Sequence, residues 1–309
     1  MNLCIGVDIG GTSIKSGFFT QKGDLIEKWE IPTRTENGGD NILSDIASNL
    51  SQKMNAHSSD TFLGIGVGVP GPVTSDGIVH TCVNLGWGEV AIERELSALT
   101  GLKVRAANDA NIAALGEQWK GAGKGYDSLL MVTLGTGVGG GVVIGGQIIN
   151  GTNGAAGEIG HMPVILRGDE RCNCGKYDCL EQVASATGIV KQAKKLLAAS
   201  DKPSRLREIE TITAKHVFDL AKEGDCLCLE LVDMVGGYLG TALADAGCIL
   251  NPDLFVIGGG VSKAGAILID AVKKHYEKRV FPSAKHTPIQ LAELSNDAGI
   301  YGAAKLILG

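Results

Sequence analysis

"CIGVDIGGTSIKSGFFTQKGDLI" (residues 4–26) and "LMVTLGTGVGGGVVIGGQII" (residues 130–149) are the two stretches that decide the fold. Each reads as strand, glycine turn, strand, glycine turn, strand, because aliphatic and β-branched runs are interrupted by glycines that permit sharp reversals. The first turns begin at Gly10 and Gly135, 125 residues apart. Matching units at that distance imply two similar lobes, each opening on a β-meander whose first turn points at a shared ligand.

Outward from these stretches the pattern alternates. Apolar periodicity predicts helices over 39–55, 89–100, 109–119, 180–199, 213–223, 225–248, 263–279 and 297–308, and strands over 62–69, 102–107, 253–258 and 287–293. Alternation of this kind is an α/β fold with central sheets. We expect an N-terminal lobe over 1–117, onto which the terminal helix 297–309 packs back, and a larger C-terminal lobe over 118–296.

Bulk properties narrow the class. The chain has 309 residues, 44% hydrophobic and 20% charged, which is a globular composition with room for two domains. Its net charge of -6 gives no nucleic-acid surface, which would need a basic face. The basic run "KQAKK" (191–195) reads as a solvated helix face. The start, "MNLCIGVDIGGT", lacks the basic and long apolar regions of a signal peptide. No apolar run was expected to approach the roughly 18–20 residues that span a bilayer. A soluble, cytoplasmic protein is the expectation. Of the eight cysteines, Cys4, Cys82, Cys226, Cys228 and Cys248 sit in apolar or helical contexts and read as small buried hydrophobes.

The glycine turns carry the chemistry. Backbone N–H groups exposed in such a turn can cradle phosphate oxygens. "DIGGT" (8–12) supplies Gly10, Gly11 and the Thr12 hydroxyl, with Lys15 as a cation and Asp8 as a carboxylate able to hold Mg²⁺. "LGTGVGGG" (134–141) offers a second turn at Gly135, Thr136 and Gly137, and "VIGGGVS" (256–262) a third with Gly259 and Gly260. One such turn alone is equally a tight hairpin without a ligand. Two facing each other describe an ATP site of the sugar-kinase, actin and Hsp70 type. No G-x-x-x-x-G-K-[ST] occurs, which excludes a P-loop. Residues 135–140 fit G-x-G-x-x-G, but the β-branched continuation is a strand, whereas a dinucleotide site needs a helix there. In "AANDANIAALGE" (106–117), Asp109 stands just after a strand and at the start of a helix. The residues alone leave two readings open: a general base or a helix cap.

"DIGGT", "NDAN", "LGTGVGGG", "GEIGH", "CNCGKYDCLE" and "VIGGGVS" together resemble the ROK family (repressors, open reading frames, sugar kinases). Within that family the chain is most similar to the bacterial ATP-dependent glucokinases, and the likeness spans essentially its whole length. The resemblance implies a two-lobed actin-like ATPase (ribonuclease H-like) fold with substrates in the cleft between the lobes. It implies transfer of a phosphoryl group from ATP to the 6-hydroxyl of glucose, giving glucose 6-phosphate and ADP, with Asp109 as catalytic base. It also implies that Gly71, Asn84, Asn108, Glu158, His161 and Glu181 line the hexose pocket, Glu158 and Glu181 near its O1–O3 edge. Homodimers or larger homo-oligomers are common in the family. Relatives with the same motifs act on N-acetylmannosamine, N-acetylglucosamine, fructose or allose, and some use polyphosphate. Family repressors carry an N-terminal helix-turn-helix. Here "DIGGT" begins at residue 8, which argues for the enzyme over the regulator.

The segment "GHMPVILRGDERCNCGKYDCLE" (160–181) can then be read. His161, Cys172, Cys174 and Cys179 form a Cys₃His set that suits tetrahedral Zn²⁺. C-x-C is not the C-x-x-C of a redox site, and inert free thiols are the remaining alternative. Four protein ligands would leave zinc no open position, so its role is expected to be structural, fixing the loop that carries Glu158 and Glu181. One ring nitrogen of His161 would serve zinc and the other a sugar or carboxylate. The family pattern is C-x-C-G-x-x-G-C-x-E, and this chain has Asp178 at the second glycine. Aspartate tolerates positive φ better than most residues, so the turn is expected to survive.

Overall fold

The computed structural model describes residues 1–164, 168 and 170–309. The chain enters on β1 (Asn2–Ile9), β2 (Ser13–Thr20) and β3 (Leu25–Pro32), then runs through α1 (Ile42–Ala56) and β4 (Thr61–Val69). It continues through α2 (Ile92–Thr100), β5 (Val104–Asn108) and α3 (Asp109–Lys120). A second trio follows: β6 (Leu129–Leu134), β7 (Val138–Ile144) and β8 (Gln147–Ile148). Four helices come next, α4 (Glu181–Ala184), α5 (Ala186–Ala199), α6 (Ala214–Lys222) and α7 (Cys226–Leu250). The chain closes with β9 (Leu254–Gly258), α8 (Ala266–Arg279), β10 (Ile289–Leu291) and α9 (Ala298–Leu308).

Among the described residues the strands form two five-stranded sheets, ordered β3-β2-β1-β4-β5 and β10-β9-β6-β7-β8. Read from its other edge, the second sheet repeats the order of the first: β8-β7-β6-β9-β10. In the first sheet β1 pairs antiparallel with β2 and parallel with β4, and β4 pairs parallel with β5. In the second, β6 pairs parallel with β9 and β9 with β10, while β7 and β8 form an antiparallel hairpin. The internal repeat read from the two glycine-rich stretches is therefore a repeat of topology.

Contacts divide the chain into two compact units. The first comprises Met1–Ser128, Gly141–Gly157 and Glu293–Gly309, the second Leu129–Gly140 and Glu158–Ala292. In the first unit β1 and β4 are buried over most of their length, as interior strands of parallel pairs should be. Helix α9 lies directly on them. A Cβ at Gly6 would overlap the Ile300 carbonyl, and one at Gly66 the Ala303 carbonyl. The same helix crosses α3 at Gly116 and Gly302, where added methyl groups would meet the Ala298 and Ile112 carbonyls. Backbone-to-backbone packing this close is open only to glycine.

In the second unit the structure corrects the helix predicted over 180–199. It is two helices, broken at Ser185 (φ -70, ψ 164), whose Oγ caps α5 by accepting the Gly188 amide at 2.9 Å. A second correction concerns α7. With 25 residues, it is long and apolar enough by length and composition to cross a bilayer, contrary to the sequence reading. In the fold it is a core helix, with Leu227, Leu231, Val235, Leu239 and Leu243 buried and α6 and α8 packed against it. The periodic apolar face is widened there by glycines 236 and 240, where α8 approaches closely.

Candidate active site

Strand β1 carries Asp8 to the edge of the first turn. The turn closes through the Gly10 amide, which donates to the Ser13 carbonyl at 2.9 Å. Thr33, the residue after β3, braces it twice: its hydroxyl donates to the Gly10 carbonyl at 2.6 Å, and its amide to the Thr12 carbonyl at 3.0 Å. Gly11 and Thr12 are left exposed at the tip. Lys15 lies opposite Asp8 in the β1–β2 register, and its Nζ donates to the Asn296 carbonyl at 3.3 Å. Burial pushes the Asp8 carboxyl up to about 6, with the charge of Asp109 adding to the rise and Lys15 opposing it. Behind Asp8 the backbone of Gly299 leaves no space for a side chain.

Asp109 is the first residue of α3, and the cap position is filled by its neighbour. The cap is Asn108, whose Oδ1 accepts the Ala110 amide at 2.9 Å and the Asn111 amide at 3.3 Å. Asn108 Nδ2 donates to the Gly71 carbonyl at 3.0 Å, which fixes Gly71 in its left-handed conformation (φ 102). The Asp109 side chain is exposed, and its Oδ1 accepts the Ala110 amide at 2.8 Å. Asn84 is exposed on a 3-10 turn (Val83–Leu85), its backbone beside Gly11. The first unit thus brings together Asp8, Lys15 and Asp109, with Asn84, Asn108 and Gly71 on neighbouring segments. Two carboxylates, one of them raised partly by the charge of the other, near a turn of exposed amides form a donor set suited to a hard cation and phosphates.

The second turn belongs to the second unit. Its Gly135 amide donates to the Gly137 carbonyl at 3.0 Å, and Thr136 stands exposed at the tip. Gly259 (φ 83) lies against the Leu134 backbone, where any Cβ would overlap, so the third glycine block packs on the strand leading into the turn. Glu181, the first residue of α4, reaches the turn: its Oε2 accepts the Val138 amide at 3.0 Å.

Beside Glu181 lies the cysteine cluster. His161, Cys172, Cys174 and Cys179 each present one ligand atom, all within 4.8 Å of one another. Cys172 Sγ is 3.8 Å from His161 Nδ1, and Cys174 Sγ is 3.7 Å from Cys179 Sγ. A tetrahedron built on metal–sulfur bonds of about 2.3 Å has edges of about 3.8 Å, so the donor set fits such an ion. Burial and the adjacent Cys174 and Cys172 sulfurs push the Cys179 thiol up to about 12, while the Lys176 amide holds Cys174 low. With Nδ1 turned to the cysteines, His161 presents Nε2 towards Glu158, whose Oε2 is 3.8 Å away. Asp178 adopts φ 67, the conformation for which the family pattern has glycine, and its Oδ1 accepts the Gly168 amide at 2.6 Å.

Two features escaped the sequence reading. Glu117, fully buried on α3, accepts the amides of Ala122 (2.9 Å), Glu293 (3.1 Å) and Leu294 (2.8 Å), tying α3 to the segment that leads into α9. A glutamate on a helix reads as surface, so nothing in the sequence marked it. In the second unit a cavity of about 290 Å³ is lined by Ala186, Thr213, Phe218, Val261 and Lys263. The "VIGGGVS" block pointed towards it, but Thr213 and Phe218 come from a separate helix with no motif of their own.

Two sheets of repeated order, each presenting a glycine turn, with carboxylates at the end of β1 and the head of α3, define the actin-like ATPase fold of sugar kinases. Residues 4–309 match the ROK family, and the chain belongs to that family. A glucokinase of Halalkalibacterium halodurans is 45% identical over 98% of this chain and 94% of its own length. A glucokinase of Thermotoga maritima is 38% identical, covering 98% of this chain and 96% of its own. The crystal structure of a ROK family glucokinase from Streptomyces griseus, in complex with glucose and AMPPNP, superposes with a TM-score of 0.75 at 32% identity, covering 98% of each chain.

Proposed function

We propose that this chain is an ATP-dependent glucokinase of the cytoplasm, transferring a phosphoryl group to the 6-hydroxyl of glucose and releasing ADP, and that it works as a homodimer or larger homo-oligomer. The observation that carries the kinase reading is the placement of Asp109 at the head of α3, in the unit that also holds Asp8, Lys15 and the turn at 10–12. Glucose as the substrate is supported by the full-length relatives.

Phosphoryl transfer needs little covalent help from the protein, and positioning and charge stabilisation do most of it. Asp109 accepts the proton of the attacking hydroxyl. Amides at 11–12 and 136–137 hold phosphate oxygens, since those of Gly10 and Gly135 close their own turns, with the Thr12 and Thr136 hydroxyls and the Lys15 ammonium beside them. Mg²⁺, held through Asp8, supplies countercharge to the phosphates when bound. The apolar cavity by Phe218 and Val261 takes the nucleoside end, with Gly260 in its lining and Gly259 the residue before it in the chain. Gly71, Asn84, Asn108, Glu158, His161 and Glu181 are the groups offered to sugar hydroxyls, which planar carboxylates and amides suit because each hydroxyl both donates and accepts. His161, Cys172, Cys174 and Cys179 would hold Zn²⁺, which would fix the loop between Glu158 and Glu181.

ADP release from MgATP with glucose, mannose, fructose, N-acetylglucosamine and N-acetylmannosamine tests the reading. Glucose is expected to support turnover well above the others. Asp109→Asn is expected to lower kcat by about 10²–10⁴-fold. A preference for an N-acetyl sugar would overturn the substrate assignment, and wild-type activity in Asp109→Asn would overturn the base.

A further inference from the structure

The residues that follow the last cysteine of the cluster grip the second glycine turn at successive positions. Glu181, two residues beyond Cys179, binds the Val138 amide, and a Cβ at Gly137 would occupy the place of its Oε2. After the break at Ser185, the Ala186 amide donates to the Gly135 carbonyl at 2.8 Å. Thr187 Oγ1 then donates to the Thr136 carbonyl, also at 2.8 Å. The other end of this segment is set by the cluster. Leu180 donates its amide to the Met162 carbonyl at 2.9 Å, beside His161. The Cys179 amide donates to Gln182 Oε1 at 3.1 Å, and Cys172 Sγ is 3.9 Å from Glu181 Oε1.

Peptide planarity gives these contacts their meaning. In a trans peptide the carbonyl of one residue and the N–H of the next point in opposite directions. Pinning the Gly135 carbonyl therefore turns the Thr136 N–H the other way, and pinning the Thr136 carbonyl does the same for the Gly137 N–H. A turn cradles phosphate only when its amides are aimed together before the ligand arrives.

We infer that residues 179–187 act as a strap through which the metal cluster aims the amides of the 135–137 turn, with Thr187 as a positioning residue for nucleotide binding. The cluster then serves the phosphate end of the site as well as the sugar loop. This rests on the reading of 135–137 as a phosphate turn and of His161, Cys172, Cys174 and Cys179 as metal ligands.

The test is calorimetric binding of MgADP without sugar to metal-loaded wild type, Thr187→Val and Thr187→Ser, and to wild type and Thr187→Val stripped by chelator. Metal content and glucose affinity are measured alongside. Thr187→Val is expected to keep its metal and its glucose affinity while binding MgADP about fivefold more weakly, the loss of one hydrogen bond. Thr187→Ser, which keeps the hydroxyl, should restore binding. In turnover, KM for ATP should rise in Thr187→Val with kcat little changed. Stripping should weaken MgADP binding to wild type by at least as much, and by less in Thr187→Val, since both act through one strap. Unchanged MgADP affinity in Thr187→Val, or in stripped wild type, overturns the inference alone. Metal-loaded wild type that bound no MgADP would remove the nucleotide reading and the inference with it, and wild type that took up no metal would remove the metal reading.

Discussion

The turns at Gly10 and Gly135 follow the same recipe and are held in opposite ways. "VDIGGT" (7–12) and "VTLGTG" (132–137) each end an interior strand, and each closes through a glycine amide. The first is braced from its own meander: Thr33, immediately after β3, bonds Gly10 and Thr12. Its carboxylate, Asp8, is in the strand itself. The second has Thr133 at the matching position and receives a carboxylate, Glu181, from a helix that follows the cysteine cluster. Local sheet geometry therefore suffices for one turn, and the other depends on a segment some fifty residues further along. A duplicated fold can keep the same backbone device while exchanging the parts that support it.

The largest effect expected from this difference concerns Asp8. Its folded pKa is raised above the unfolded value, so this group favours the native state at low pH. That contribution is fully present below the unfolded pKa near 3.8 and is lost as pH rises through about 6. The change is on the order of 3 kcal/mol. Asp8→Asn should therefore melt higher than wild type at pH 7, with the gap closing below pH 4. A gap independent of pH would show that the aspartate carries no such strain. On the proposed role of Asp8 as a cation ligand the sign in activity is opposite: the ionised form would hold the cation, so turnover should fall as acid protonates Asp8.

Next comes the contrast between glycines. Gly137→Ala puts a methyl where the Glu181 carboxylate sits, whereas a Cβ at Gly11 would be 3.5 Å from the Asn84 carbonyl, an ordinary contact. MgADP affinity should fall about tenfold or more in Gly137→Ala, the scale of overpacking, and change little in Gly11→Ala. Equal losses would mean that Glu181 does not distinguish the two turns. The smallest effect is expected from Thr33→Val, which removes the hydroxyl brace on Gly10 and should lower stability by about 1 kcal/mol in a urea melt. Metal uptake should be untouched in that variant. A change in metal content would link the two turns more closely than their separate supports suggest.

Much of the fold was legible from the chain. The paired glycine blocks predicted two repeated meanders, and the sheet orders repeat. The strand predicted at 62–69 and the helix at 109–119 fall almost on β4 and α3, because their apolar periodicity is strong and their ends are marked. The predicted helix 180–199 was split because a serine cap inside a helical pattern leaves almost no compositional trace. The apolar length of α7 is masked in the sequence because Glu230, Asp233 and Asp245 interrupt it. Asp109 was found as a candidate, but the division of labour with Asn108 was not, since either residue type caps a helix.

The sequence by itself determined the chemistry on offer: which residues could cradle phosphate, accept a proton or bind a soft metal, and in what order they occur. These are properties of side-chain type and short-range spacing, and both survive in a linear string. Only the tertiary structure decided what supports them. That Thr33 backs Gly10, that Glu181 occupies the space left by Gly137, and that Glu117 gathers amides from 122, 293 and 294 are all contacts between distant positions. Nothing local encodes them, because a buried carboxylate and a surface one are the same letter until packing excludes water from one of the two.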